Sequence, residues 1–151
     1  MSATAAPVTG LAGTYLTFQV ANEEYGIEIL KVREIIGMLP ITPVPGSPPV
    51  MQGVVNLRGK VIPVLSMRNR FGLPPGEPHE HNVIIVVDAG DNGQIGLAVD
   101  RVREVAIFTA ADTEPPPSYG MSIDASMVAA LGKSQNRIRI LLDLAKVLAS
   151  V

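Results

Sequence analysis

Tyr25-Gly26-Ile27-Glu28-Ile29-Leu30-Lys31-Val32-Arg33-Glu34-Ile35 returns in outline as Ile95-Gly96-Leu97-Ala98-Val99-Asp100-Arg101-Val102-Arg103-Glu104-Val105. Gly26 and Gly96, Val32 and Val102, and Glu34 and Glu104 are each 70 positions apart, with no gap between the copies. The surroundings repeat as well. A strand-like apolar run precedes each copy (Tyr15–Val20 and Val83–Val87), and another follows (Val61–Leu65 and Ile138–Leu142). A short helical pattern closes each half, Met67–Phe71 in one and Leu144–Leu148 in the other. Two copies are too few for a solenoid, so a pair of packed β subdomains is the architecture expected.

Outward from the first copy, Leu16, Phe18 and Val20 alternate with Thr17 and Gln19, the period of a half-buried strand. Tyr25, Ile27 and Ile29 alternate in turn, so the two runs read as a hairpin. Val32, Ile35 and Ile36 stand at i, i+3 and i+4, and Lys31 to Ile36 is expected to turn helically. Prolines at 40, 43, 45, 48 and 49 exclude a central strand or a long helix between Leu39 and Gly53. Val54–Leu57 and Val61–Leu65 read as strands joined by a tight turn at Arg58-Gly59-Lys60. Pro63 predicts an edge position or a bulge for the second of these.

Leu73–Asn82 connects the copies. Val83–Val87 is apolar throughout, as expected of a strand covered on both faces. Asn92-Gly93 is a strong hairpin signal before Ile95, Leu97 and Val99. Thr113–Gly120, with its triple proline, reads as a rigid loop. Ile138, Ile140 and Leu142 then alternate with Arg137 and Arg139 in a last strand, after which Asp143 caps a helix. The expectation is an all-β chain of about ten strands in two small barrels with short helices, one copy spanning about 14–72 and the other 82–151. Met1–Gly13 reads as a loose N-terminal tail.

Composition narrows the function. With 151 residues, 47% hydrophobic and 17% charged, the chain is globular and not disordered. A net charge of −2 and 4% aromatic residues supply neither the basic face nor the stacking platform of a nucleic-acid binder. There is no cysteine, and hence neither a disulfide nor thiolate chemistry. The N-terminus lacks the basic and apolar regions of a signal peptide, and no apolar run approaches the roughly 20 residues of a membrane span. A cytoplasmic protein with no direct membrane insertion is expected.

Catalytic patterns are missing. No serine sits in a Gly-x-Ser-x-Gly elbow, and no glycine-rich phosphate loop opens a helix. His79-Glu80-His81 has no further histidine or cysteine to complete a zinc site, so no metal and no cofactor is expected. Asp88–Gly93 misses the calcium-loop spacing and reads as a hairpin turn. Two patches remain. Asn56-Leu57-Arg58-Gly59 places a long cation at a strand end. Val32-Arg33-Glu34 occurs in both halves, which favours a role in the fold, yet Glu34 and Arg58 could form a paired polar rim beside an apolar groove.

Glu24 to Ile35, together with Gly53-Val54-Val55-Asn56-Leu57-Arg58-Gly59 and Val61-Ile62-Pro63-Val64, resembles the CheW family of chemotaxis coupling proteins from about Tyr15 to Leu148. Ser66-Met67-Arg68 departs from that family, which usually has an acidic residue and Leu before the Arg. The resemblance implies two five-stranded SH3-like barrels on a shared core. It also implies a non-enzymatic adaptor that joins the cytoplasmic tip of methyl-accepting receptors to the regulatory domain of the histidine kinase CheA.

Carried over by position, Val32, Glu34, Arg58 and Val83 would line the receptor-facing groove, with Val105 a further contact and Gly53 near the kinase. Alternatives are an adaptor for another chemosensory pathway, such as control of type IV pili, or a detached piece of the kinase's own regulatory domain. A small barrel hydrolase or ligand carrier lacks its catalytic groups here.

Overall fold

The computed structural model of the chain describes residues 13–76, 80–116 and 123–149. The first half runs β1 (Gly13–Val20), β2 (Glu23–Glu28), β3 (Val32–Gly37), β4 (Met51–Leu57), β5 (Lys60–Ser66) and a one-turn helix, α1 (Met67–Arg70). The second runs β6 (Val83–Asp88), β7 (Gln94–Val99), β8 (Arg101–Phe108), the two-residue β9 (Thr113–Glu114), β10 (Val128–Ser134), β11 (Arg137–Leu142) and α2 (Leu144–Val147).

These strands form a six-stranded sheet, β8-β1-β2-β11-β10-β9, and a five-stranded sheet, β3-β6-β7-β5-β4. The halves are therefore interleaved. Each sheet takes the opening hairpin of one copy and the remaining strands of the other. The copies meet at two matching parallel contacts: Leu141 lies opposite Gly26 on β2, and Val64 opposite Gly96 on β7. The repeated glycine has a steric cause. A Cβ at Gly26 would stand 3.0 Å from Leu141 Cδ2, and one at Gly96 would stand 2.6 Å from Ile84 Cγ2.

Strand alternation sorts the side chains into three clusters. Leu16, Phe18, Tyr25, Ile27, Ile85, Val87, Leu97, Ile140 and Leu142 fill a shared core drawn from both sheets. Tyr25 stacks on Phe71 at 4.6 Å and on Phe18 at 6.0 Å within it. On its other face the five-stranded sheet keeps Val55, Ile62, Val64, Ile84 and Val86, and the six-stranded sheet keeps Tyr15, Phe108, Ala130 and Leu141. Both sheets curl: Glu104 of β8 reaches Arg139 of β11 across the two intervening strands, and Glu34 of β3 meets Arg58 of the β4–β5 turn across β6 and β7.

The repeated Val-Arg-Glu is a β-bulge in both halves. Val32 faces Val87 and Glu34 faces Val86, so Arg33 is the extra residue. Likewise Phe18 faces Val102 and Thr17 faces Glu104, leaving Arg103 unpaired in the ladder. At the second bulge, the buried Thr17 hydroxyl replaces lost ladder bonds, donating to the Glu104 carbonyl at 2.8 Å and accepting the Glu104 N–H at 3.1 Å.

Four expectations change. Lys31–Ile36 is not helical: a 3-10 turn covers Ile29–Lys31 and β3 follows, because the bulge imitates helical spacing. Pro63 lies in an interior strand, tolerated because β7 pairs with β5 only from Val64 onward. In β11 it is Ile138 that is exposed and Arg139 that is fully buried. The six-stranded sheet also exceeds the five expected, since Thr113 and Glu114 at the start of the supposed loop pair with β10 as β9.

The β1–β2 hairpin, the turn ending at Gly93 and the Asp143 cap stand as expected. Gly13 already belongs to β1, while residues 1–12 of the expected tail, His79 and residues 117–122 fall outside the described residues.

Candidate functional site

Arg58 occupies the first position of the β4–β5 turn with φ 52°, followed by Gly59 at φ 86°. The Gly59 N–H donates to Asn56 Oδ1 at 2.8 Å and closes the turn. From there the Arg58 guanidinium reaches β3 and bonds Glu34 Oε1 at 2.5 Å. The expected pair thus forms, bridging β3 to the far hairpin of the curled sheet. It is an outward-facing contact, with the Arg58 side chain 70% exposed and that of Glu34 32%. The hydrogen bond to Glu34 holds the Arg58 guanidinium above its ordinary pKa.

Val32 and Val83 lie at opposite ends of the β3–β6 ladder, where Val32 faces Val87 and Val83 faces Gly37. Both are half-buried and pack against the shared core. Val105 stands apart on β8, the edge strand of the other sheet, and is 56% exposed. Gly53 is buried on β4 with φ +153°, and Thr42 crosses directly over it. The structure therefore joins Glu34 to Arg58 and puts Val32 and Val83 on one ladder. It keeps Val105 and Gly53 separate from them.

Two further apolar residues extend these strips. Ile35 follows Glu34 on the β3 edge, and Ile107 follows Val105 on β8; both are exposed. Reading β3 as helical groups Ile35 with the half-buried Val32 and Ile36, which hides it. A bulge likewise puts residues three apart, here Val32 and Ile35, on one face, so no spacing in the sequence sets the exposed Ile35 apart from Val32.

Burial, with help from Glu28 and Glu23 respectively, pushes the Tyr15 and Tyr25 hydroxyls up to about 12. The Gly90 N–H, followed by Arg33, holds the Asp88 carboxyl below its usual range. No group of three or more His, Asp or Glu side chains among the described residues could hold a metal ion. No described helix is long and apolar enough to cross a membrane.

Exposed apolar edge strands on both sheets, one of them carrying an outward-facing ion pair, define a protein-docking module. The chain belongs to the CheW-like domain family, whose model matches residues 14–151. It is 36% identical to the chemotaxis protein CheW of Klebsiella aerogenes over 150 residues, covering 96% of this chain and 90% of that one. It is 33% identical to CheW of Rhizobium meliloti, covering 89% and 86%. Among solved structures, the scaffolding protein TtCheW of Thermoanaerobacter tengcongensis superimposes with a TM-score of 0.81 at 32% identity, covering 91% of this chain and 88% of that one.

Proposed function

We propose that this protein is a non-enzymatic cytoplasmic adaptor that couples the tips of methyl-accepting chemotaxis receptors to the regulatory domain of the kinase CheA. The observation that carries this reading is the Glu34–Arg58 pair, formed at positions matching the family's receptor-facing groove and exposed where a partner can meet it. Val32 and Val83 supply apolar surface in this assignment, and Val105 supplies it from the second sheet. Gly53 is buried, so its part in kinase binding is indirect, through the position of the loop at Thr42. The relatives named chemotaxis protein CheW and the scaffolding protein of the same fold support the role.

An ion pair this exposed contributes little to folding and sets docking register more than stability. Arg58→Glu should therefore leave the thermal midpoint nearly unchanged and abolish capture by a receptor cytoplasmic fragment. Binding to the CheA regulatory domain should persist. Pull-downs with both partners, alongside a melting curve, test this. A variant that loses both partners and its fold together would show that Arg58 serves the structure instead.

A further inference from the structure

The chain passes between the two sheets only twice among the described strands: at Ile29–Lys31, between β2 and β3, and at Asp100, between β7 and β8. Leu30 and Asp100 are 70 positions apart, so these crossings are the same place in the two copies. They are held very differently.

Asp100 is bonded to both sheets. Its N–H donates to the Gln19 carbonyl at 3.0 Å, and its Oδ2 accepts the Ala21 N–H at 2.8 Å, which ties it to the β1–β2 turn of the six-stranded sheet. Arg68, on α1 behind β5 of the other sheet, grips the same carboxylate with both arms: Nε to Oδ1 at 3.0 Å and Nη2 to Oδ2 at 2.6 Å. The third guanidinium nitrogen, Nη1, donates to the Pro74 carbonyl at 3.0 Å. Asn82, just before β6, donates to the Asp100 carbonyl at 3.1 Å. The pair is largely shielded from solvent, and a planar two-point grip of this kind is directional as well as strong.

At the other crossing, the Ile29–Lys31 turn closes through the Val32 N–H onto the Ile29 carbonyl and has no side-chain cap. Leu30 is 89% exposed at the position that Asp100 holds in the other crossing. Counting from Val64 and Leu141, the partners of the repeated glycines, the counterpart of Arg68 is Ala145. A hollow of about 550 Å³, lined by Glu28, Lys31, Asp88, Leu144, Ala145 and Leu148, opens there. The corresponding hollow beside Arg68 and Asp100 is about 300 Å³.

We infer that Arg68 and Asp100 are positioning residues. They pin one crossing, so the two sheets pivot about it while the Ile29–Lys31 crossing yields, and the pivot sets the placement of Val32 on β3 relative to Val105 on β8. The pivot stands on the geometry alone; its effect on partner binding rests on the docking role proposed above.

Because the chain has no cysteine, two can be introduced for spin labels, Val61→Cys on β5 and Ile138→Cys on β11, both at exposed positions on different sheets. Electron–electron distance measurements on the full chain should give one narrow distribution, and Arg68→Gln should broaden or displace it. Arg33→Gln, which removes the Arg33–Asp88 pair within one sheet, should leave it unchanged. A folded Arg68→Gln protein with the parental distribution overturns the pivot, as does equal broadening in the Arg33→Gln control.

If Arg68→Gln does not fold, Arg68→Lys keeps the charge without the fork, and its distribution decides in the same way. With the docking-competent arrangement cut to about a tenth of the population, receptor-fragment affinity should fall about tenfold. Broadened distances with unchanged receptor affinity would overturn the link to docking. Failure of the unmutated chain to bind any receptor fragment would overturn the docking role and leave the pivot standing.

Discussion

Arg139 and Ile62 occupy the same place in the two halves, each two residues before the strand residue that faces a repeated glycine. Ile62 is buried among apolar neighbours, whereas Arg139 brings a charge to a site with no exposure at all. Its Nε donates to Glu24 at 3.0 Å, its Nη2 bonds Glu104, and its guanidinium carbon lies 6.0 Å from the Phe108 ring centroid. Nη1 finds no hydrogen-bond partner among the described residues. The counterpart of Glu24 is Gln94, so the other half shows how the same frame is built without this ion pair.

Removing Arg139 leaves Glu24 and Glu104 short of a partner, and removing Glu24 leaves the buried Arg139 with Glu104 alone, each at a cost of about 3 kcal/mol. Arg139→Ile and Glu24→Gln should each lose about that much in urea unfolding. The double variant should lose about 1–3 kcal/mol less than their sum, since neither charge is then left alone. Strict additivity would mean that Arg137, 3.2 Å from Glu24, already satisfies that carboxylate and that Arg139 is held by packing.

Gly53 belongs to the scale of elements, because what it governs is where the proline-rich segment lies. Thr42 and Val54 exchange two backbone bonds of 2.9 Å, and this bridge is possible because Gly53 has no side chain. A Cβ there would stand 2.3 Å from the Thr42 carbonyl oxygen, and φ +153° is strained for an L residue. Gly53→Ala should cost about 2 kcal/mol or more. It should also strip amide-exchange protection from Thr42 and Val54 while sparing β6 and β7. Unchanged protection at Thr42 would show that the bridge moves intact.

The second half holds its own short strand in the matching place, with Glu114 and Thr113 of β9 opposite Leu131 and Gly132 of β10. Such devices are poorly legible in one sequence. Hairpin turns and the Asp143 cap announce themselves through local chemistry, and the repeat announces the pairing of halves. The bulge at Arg33 does not, because adding one residue to a two-residue alternation yields the three-residue spacing of a helix. The inward turn of Arg139 was equally hidden, since its partners lie on strands more than 30 positions away. For the same reason Glu34 and Arg58 could be suspected as a pair from sequence, while the shape that brings them together could not.

Interleaving also decides what the whole molecule can do when divided. β1 pairs with β8, and β2 with β11, so the opening hairpin completes its sheet only with strands from the other copy. The shared core takes Phe18, Tyr25 and Ile27 from the first half and Ile85, Leu97 and Ile140 from the second. These contacts span most of the chain length, a topology that folds in about milliseconds to seconds because distant segments must meet before burial rewards them. The connector between α1 and β6 joins elements flanking the same sheet, so cutting it severs no sheet-to-sheet crossing. Fragments 1–76 and 80–151, purified separately, should each lack a cooperative unfolding transition, since each exposes half of the common core. Mixed, they should regain the circular dichroism spectrum and the transition of the intact chain, now with a midpoint that rises with concentration because folding has become association. A fragment 1–76 that unfolds cooperatively alone would mean that the copies are true folding units and that exchange of their hairpins stabilises the whole only marginally.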